Sequence, residues 1–107
     1  QDTAPAEAMG FAQRAYEAAP DHAAVLDTYA MVSAKNGRFD KALRAIERAI
    51  QAAKEPAYFR LHHAEILALS GDMAKAAEEL EALENGGIPA SLKDRADVLR
   101  GQLGSKR

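Results

Sequence analysis

The sequence predicts an all-α helical solenoid, a fold in which antiparallel helix pairs stack one after another. Ala is the commonest of the 107 residues and is followed by Leu, Glu and Arg, which are strong helix formers, whereas aromatic residues make up only 6%. A step of 34 residues also connects small or apolar residues in two segments: Gly37 to Gly71, Phe39 to Met73, Ala42 to Ala76, Ile46 to Leu80 and Ala49 to Leu83. A fixed period of this length is typical of a helix–turn–helix repeat whose copies bury one another's apolar faces.

The first half of the chain is predicted to hold one unpaired helix and one helical hairpin. Residues 6–19 carry alanines at three- and four-residue spacing, and Pro20 ends this helix. Residues 22–53 are predicted to form two helices separated by the turn signal Asn36-Gly37. By the 34-residue step, residues 6–19 correspond to the second helix of a hairpin. We therefore interpret them as a half repeat that precedes the first full repeat.

The second half of the chain is predicted to hold another full repeat and a capping helix. Residues 57–84 are predicted to form a second full repeat, with a tight turn at Gly71 and a break at Gly86. Residues 90–103 combine an apolar stripe with a charged outer face, which is typical of a helix that caps the end of a solenoid. We interpret residues 1–107 as a single domain and as the C-terminal part of a longer array.

Charge and composition exclude several classes of function. The formal net charge of −2 argues against general nucleic-acid binding, which needs a dense basic surface. The absence of Cys excludes disulfides, thiolate metal sites and a cysteine nucleophile. No apolar run approaches the roughly 20 residues that span a bilayer, so we expect no membrane insertion by this segment.

The two full repeats resemble the tetratricopeptide repeat. The matching residues of the first repeat are Leu26, Tyr29, Ala30, Gly37, Phe39, Ala42, Ile46 and Ala49. Those of the second are His63, Ala64, Gly71, Met73, Ala76, Leu80 and Leu83. The resemblance implies a right-handed solenoid of six antiparallel helices that serves as a non-catalytic scaffold for protein–protein interaction. A large aromatic residue expected early in each repeat is replaced by Leu26 and by Arg60.

A narrower resemblance links the chain to repeat proteins of the bacterial envelope. Residues 25–30 are similar to a Leu-Asp-(Ser/Thr)-Leu-Gly-Trp signature of these proteins, and residues 62–64 are similar to their Tyr-His-Leu-Ala. Residues 77–103 resemble the C-termini of repeat proteins associated with exosortase (PEP-CTERM) and exopolysaccharide systems. This resemblance implies a periplasmic or envelope-associated scaffold, with the cytoplasm as the alternative location.

The resemblance also implies a concave surface that binds a peptide or protein partner. In such solenoids the first helix of each hairpin lines this surface. Here it should carry seven residues, with Met31, Tyr58 and Leu69 as apolar anchors: Asp27, Met31, Lys35, Tyr58, His62, Glu65 and Leu69. Only Lys35 fits the cationic clamp with which some relatives hold a C-terminal carboxylate, so we expect a different ligand.

Two alternative functions remain open at this point. The chain could associate with a second copy through the uncovered face of the first helix, where we expect Met9, Phe11 and Tyr16. It could also be an accessory domain of a larger enzyme. In neither case do we expect a cofactor.

The adjacent residues His62 and His63 are the strongest candidates for chemistry. Neighbouring residues of a helix point about 100° apart, so the two imidazoles do not chelate one ion well. We predict that His63 faces the core in the place that Tyr29 takes in the preceding repeat, and that His62 is half exposed. Asp27 could pair with either histidine, but no Ser or Cys nucleophile is within reach by sequence, so we expect neither a catalytic nor a metal site.

Two stripes of opposite charge follow the second helices of the two full repeats. The basic stripe holds Arg38, Lys41, Arg44 and Arg48, and the acidic stripe holds Glu78, Glu79, Glu81 and Glu84. The 34-residue step predicts that these helices lie side by side, with Arg44 in the place of Glu78. We interpret the stripes as cross-repeat ion pairs, and the alternative is a surface for an acidic partner.

Overall fold

The computed structural model describes residues 4–104 of the chain. Within them it has six α-helices and one short 3-10 helix, and no strand: α1 (Ala4–Ala18), α2 (Ala23–Lys35), α3 (Phe39–Ala52), α4 (Ala57–Leu69), α5 (Met73–Asn85), the 3-10 helix (Ala90–Leu92) and α6 (Lys93–Gly104). The prediction of an all-α helical solenoid is confirmed.

Two hairpins, α2 with α3 and α4 with α5, form the body of the solenoid. Helix α1 packs against α2, and α6 packs against α5 and α4. The hairpins are joined through α4, which contacts both α2 and α3. The predicted side-by-side packing of α3 and α5 is not what joins the repeats. Both helices instead contact α4, where the His63 side chain lies 3.7 Å from Glu47 on α3 and 3.5 Å from Glu79 on α5.

Alanines at the helix crossings allow the helices to approach closely. Ala30, Ala42, Ala64 and Ala76 are all fully buried, two in each hairpin. A larger side chain at any of these four positions would separate helices that pack along their whole length. Around them lie fully buried larger residues such as Ile46 and Leu80, and each of these contributes about 1.5–3 kcal/mol through burial of apolar surface.

Both turns between paired helices have the same backbone geometry. After α2, Gly37 has φ +76°, its N–H donates to Ala34 O at 3.0 Å, and the N–H of Arg38 donates to Ser33 O at 2.8 Å. After α4, Gly71 has φ +95° and the corresponding two bonds recur at 3.0 and 2.9 Å. This pair of bonds defines the Schellman motif, and its left-handed residue favours glycine because glycine lacks a Cβ.

Candidate functional site

A groove with a volume of about 460 Å³ lies between α4 and α6, next to the C-terminal half of α2 and the start of α5. Its lining is mainly apolar: Met31, Glu65, Ala68, Leu69, Met73, Arg95, Val98, Leu99 and Gln102. Helices α2, α4 and α6 all contribute, and the first two are the first helices of the hairpins. Three of the seven residues that were predicted to contact a partner, Met31, Glu65 and Leu69, line this groove.

Two large apolar side chains of this groove are open to solvent. Leu69 is 57% exposed and Val98 is 62% exposed, whereas Met31 at the α2 side is half buried. Single exposed apolar residues are common on protein surfaces, but several that line one depression are typical of a contact site. Covering them would remove apolar surface from water and stabilise a complex.

A bidentate ion pair connects α4 and α6 along this groove. Arg95 donates from Nε to Glu65 Oε2 at 2.7 Å and from Nη2 to Glu65 Oε1 at 2.9 Å. The hydrogen bonds that Arg95 donates to Glu65 raise the pKa of the Arg95 guanidinium, so this group stays charged throughout the range in which proteins are normally handled. Since the two charges offset each other, the lining side chains present no net charge.

A second acid–base contact, between Asp27 and His62, joins α2 to α4 and is buried. His62 Nδ1 lies 2.5 Å from Asp27 Oδ1, and the two residues are only 3% (His62) and 7% (Asp27) exposed. The contact gives His62 Nδ1 and Asp27 Oδ1 a hydrogen-bond partner where little water has access, whereas His62 Nε2 has no partner among the described residues. Asp27 and His62 were predicted to contact a partner, but the structure places them beneath the surface.

The prediction that His62 is half exposed is wrong, because this residue is only 3% exposed. His63 is largely buried, with its side chain 16% exposed, and lies 3.7 Å from Glu47 on α3 and 3.5 Å from Glu79 on α5. The repeat alignment placed His63 in the position of Tyr29. The alignment gives no information about hydrogen-bond partners. Asp27, a carboxylate buried on α2, needs such a partner, and His62 is the α4 side chain that provides it.

An exposed aromatic residue covers this buried pair. The ring centroids of Tyr58 and His62 are 4.3 Å apart, and Phe59 packs edge-on against Tyr58 at 5.4 Å. Tyr58, His62 and Asp27 thus form one cluster, and three other predicted residues (Met31, Glu65 and Leu69) line the groove. Lys35 is exposed in the last turn of α2 and is not among the groove-lining residues.

Helix α6 supplies four of the nine residues that line the groove, and its contribution was not predicted from the sequence. Arg95, Val98 and Gln102 were interpreted only as part of a capping helix. Because α6 follows α5 as α4 follows α3, it takes the place of the first helix of a further repeat and extends the same surface. The signal available in the sequence was Val98, an apolar residue outside the predicted buried stripe of residues 90–103.

The predicted self-association face on α1 is not a single surface. Met9 is buried, where its Sδ accepts a hydrogen bond from Ser33 Oγ at 3.8 Å, and Tyr16 stacks on Tyr29 with ring centroids 4.6 Å apart. Phe11 points to the other side and is 67% exposed. Residues 9 and 16 share the helix face that packs on α2, and residue 11 is turned away from it.

The ion pairs also differ from those predicted. In the described part of the chain, Arg44 makes no ion pair with Glu78. Arg48 pairs with Asp21 at 2.8 Å, Arg60 with Glu79 at 3.4 Å, and Arg100 with Glu84. The period correctly related the positions of α3 and α5, but the long side chains reach partners on nearer elements.

The described residues offer neither a cluster of metal ligands nor a membrane-spanning helix. Between residues 4 and 104, no three His, Cys, Asp or Glu side chains are grouped so that they could hold a metal ion. Over the same range, every helix is too short or too polar to cross a membrane.

Paired helices, small residues at their crossings and repeated glycine turns define a helical repeat protein. A family model described as tetratricopeptide repeat matches residues 1–63, which is more than half of the chain. The chain belongs to this family, whose domains are generally non-catalytic scaffolds for protein–protein interaction. Searches of curated proteins and of solved structures gave no match to the chain.

Proposed function

We propose that this chain is a non-catalytic scaffold that binds an apolar segment of a protein partner in the groove between α4 and α6. The observation that carries this proposal is the pair of exposed side chains Leu69 and Val98 in one groove. An extended or amphipathic segment would cover both side chains and would bring apolar side chains of its own.

The chemistry of the groove supports a partner segment without charges at the contact. Glu65 and Arg95 already neutralise each other, so a charged side chain placed between them would have to compete with an existing bidentate pair. Met31 and Met73 provide flexible, polarisable surface that adapts to apolar groups of different shape. A volume of about 460 Å³ lies within the usual range of about 300–1,000 Å³ for binding sites and suits a few side chains.

Selection of peptides from a displayed library against the purified chain provides the test. We expect selected peptides to be apolar, and we expect Leu69→Ser and Val98→Ser each to weaken their binding about tenfold, because each removes a large apolar contact. Phe11→Ser is the matched control, since Phe11 is equally exposed but lies on α1. Isothermal titration should show that Phe11→Ser changes Kd less than twofold.

The variants are suited to this test because the replaced side chains are exposed. Each should leave the free energy of unfolding nearly unchanged, and this can be checked by urea denaturation. Selected peptides whose affinity is unaffected by Leu69→Ser and Val98→Ser would contradict the proposed site. Equal losses from Phe11→Ser would contradict it as well.

We also propose that the partner belongs to a bacterial envelope system for exopolysaccharide production or protein sorting. The support for this is the resemblance of residues 25–30 and 62–64 to repeat proteins of those systems. Fractionation of source cells, followed by detection of the chain with an antibody, should place it in the periplasmic or membrane fraction. Detection in the cytoplasmic fraction alone would contradict this assignment.

A further inference from the structure

A second groove, with a volume of about 240 Å³, lies between α1 and α3. It shares no residue with the groove between α4 and α6. Its lining residues are Tyr16, Tyr29, Lys41, Arg44, Ala45 and Arg48. Three of these are cationic and none is acidic, so the lining carries a positive charge in a protein whose formal net charge is −2.

Two stacked tyrosines form an ordered part of this groove. The rings of Tyr16 and Tyr29 lie 4.6 Å apart at an angle of 15°, and the Tyr16 hydroxyl accepts a hydrogen bond from Arg48 Nη1 at 3.1 Å. Arg48 is held further by donation from Nη2 to Pro20 O at 3.1 Å and to Asp21 Oδ1 at 2.8 Å. The position of Arg48 is therefore fixed, and its charge is offset by Asp21.

The other two cations of the groove have no such partner. Lys41 and Arg44 are exposed, and within the described residues neither makes an ion pair or a side-chain hydrogen bond. They are three residues apart on α3, so both project from the same side of the helix. The groove thus presents two uncompensated positive charges beside the stacked tyrosines.

The corresponding groove one repeat later has the opposite charge. Between α3 and α5 the lining includes Glu47, Asp72, Glu78 and Glu79, together with His63 and Lys75. By the 34-residue step Arg44 corresponds to Glu78, whereas Lys41 corresponds to Lys75. Since the same backbone arrangement carries either charge, the positive groove is a local feature of the sequence and is not required by the fold.

We infer that the groove between α1 and α3 binds an acidic segment of a protein. Its carboxylates would pair with Lys41 and Arg44, and its aliphatic or aromatic groups would lie against the tyrosine rings. This inference concerns a different surface from the groove between α4 and α6 and stands independently of the function proposed above. A peptide suits the groove better than a nucleic acid, because nucleic-acid binding depends on neutralising several phosphates and this groove offers two free cations.

The test uses hexaglutamate labelled with fluorescein and measures its binding to the full chain by fluorescence anisotropy. At about 0.01 M ionic strength, where the Debye length is about 30 Å, we expect saturable binding that weakens as salt is added. Lys41→Glu should raise Kd at least about fivefold, because it replaces an attraction by a repulsion at an exposed pair. Arg44→Gln should also raise Kd.

Lys75→Glu is the matched control for Lys41→Glu. It changes the net charge equally at an exposed lysine that lies 34 residues later on the corresponding helix. This variant should change Kd less than twofold, and Leu69→Ser should have no effect. Circular dichroism of each variant checks that the helices are retained, as we expect for exposed positions.

Four results would overturn the inference. One is the absence of saturable hexaglutamate binding by the unmodified chain. Another is an equal loss of affinity in Lys41→Glu and Lys75→Glu, which would indicate a response to net charge alone. The third is loss of hexaglutamate binding in Leu69→Ser, which would place the peptide in the other groove. The last is tighter binding of a short oligothymidylate that Lys41→Glu abolishes, which would assign the groove to nucleic acid.

Discussion

The junctions α2–α4 and α4–α6 are each joined by one acid–base contact, but the two contacts differ in burial. At the first junction Asp27 and His62 are closed off from water. At the second junction Glu65 and Arg95 form a bidentate pair, in which the Arg95 side chain is 46% exposed and the Glu65 side chain 17%. Two successive repeat boundaries thus each use an acid–base pair, and the two pairs differ in their exposure to solvent.

The difference in burial determines what each contact contributes. A buried group that loses its partner finds no water to replace that partner, so its full desolvation cost lowers the free energy of unfolding. An exposed charge that loses its partner is hydrated again at little cost. We therefore expect the first contact to govern the stability of the junction and the second to govern mainly the surface of the groove.

The largest effect is expected for Asp27→Ala. This change leaves the His62 imidazole buried without a partner at Nδ1, in addition to Nε2, which has no hydrogen-bond partner among the described residues. The free energy of unfolding should fall by about 2–4 kcal/mol, as measured by urea denaturation. Asp27→Asn, which keeps an acceptor oxygen, should cost less. A loss below about 1 kcal/mol for Asp27→Ala would show that water reaches the imidazole.

A smaller effect is expected when both members of the buried pair are replaced. The double variant Asp27→Leu with His62→Leu removes the two polar groups together and fills their space with apolar atoms. Its free energy of unfolding should lie within about 1 kcal/mol of that of the unmodified chain, since buried pairs of this kind are often neutral against apolar replacements. A double variant as unstable as Asp27→Ala would indicate that Leu does not fit the junction.

Arg95→Ala should have a modest effect on stability. It removes the partly exposed pair at the α4–α6 junction, in which the Glu65 side chain is 17% exposed, and should lower the free energy of unfolding by about 1 kcal/mol. Lys93→Ala is the control, because Lys93 pairs with Asp97 on α6 itself at 3.3 Å and both side chains are largely exposed. A loss for Arg95→Ala as large as that for Asp27→Ala would remove the contrast between the two junctions.

The smallest effect concerns the response to salt. At about 1 M salt the Debye length falls to about 3 Å, so the difference in unfolding free energy between Arg95→Ala and the unmodified chain should shrink towards zero. The corresponding difference for Asp27→Ala should persist, because screening acts weakly on a buried contact. Urea denaturation at low and high salt measures both differences. If both differences changed equally between low and high salt, this would contradict the conclusion that the Asp27–His62 contact is the more buried of the two.

The sequence was sufficient for the helices and turns because their signals are local. Gly37 and Gly71 marked both turns, and the alanines at positions 42 and 76 marked the helix crossings. These features depend on spacing along the chain, which a 34-residue repeat makes easy to detect.

The rotation of each helix about its axis was harder to predict. Neighbouring residues of a helix point about 100° apart, so an error of one position exchanges a buried residue for an exposed one. This is why His62 was expected to be half exposed and why Met9 and Tyr16 were assigned to an outer face. The contribution of α6 to the groove was missed because its sequence departs from the repeat pattern.

The two glycine turns, which match each other bond for bond, give the molecule a practical property. These turns are held by backbone hydrogen bonds and depend on very few side chains. The outward faces of α3 and α5 can therefore carry opposite charges on the same backbone arrangement. A few substitutions in one repeat should therefore change the charge of its outer surface, while the neighbouring repeat keeps its own surface charge.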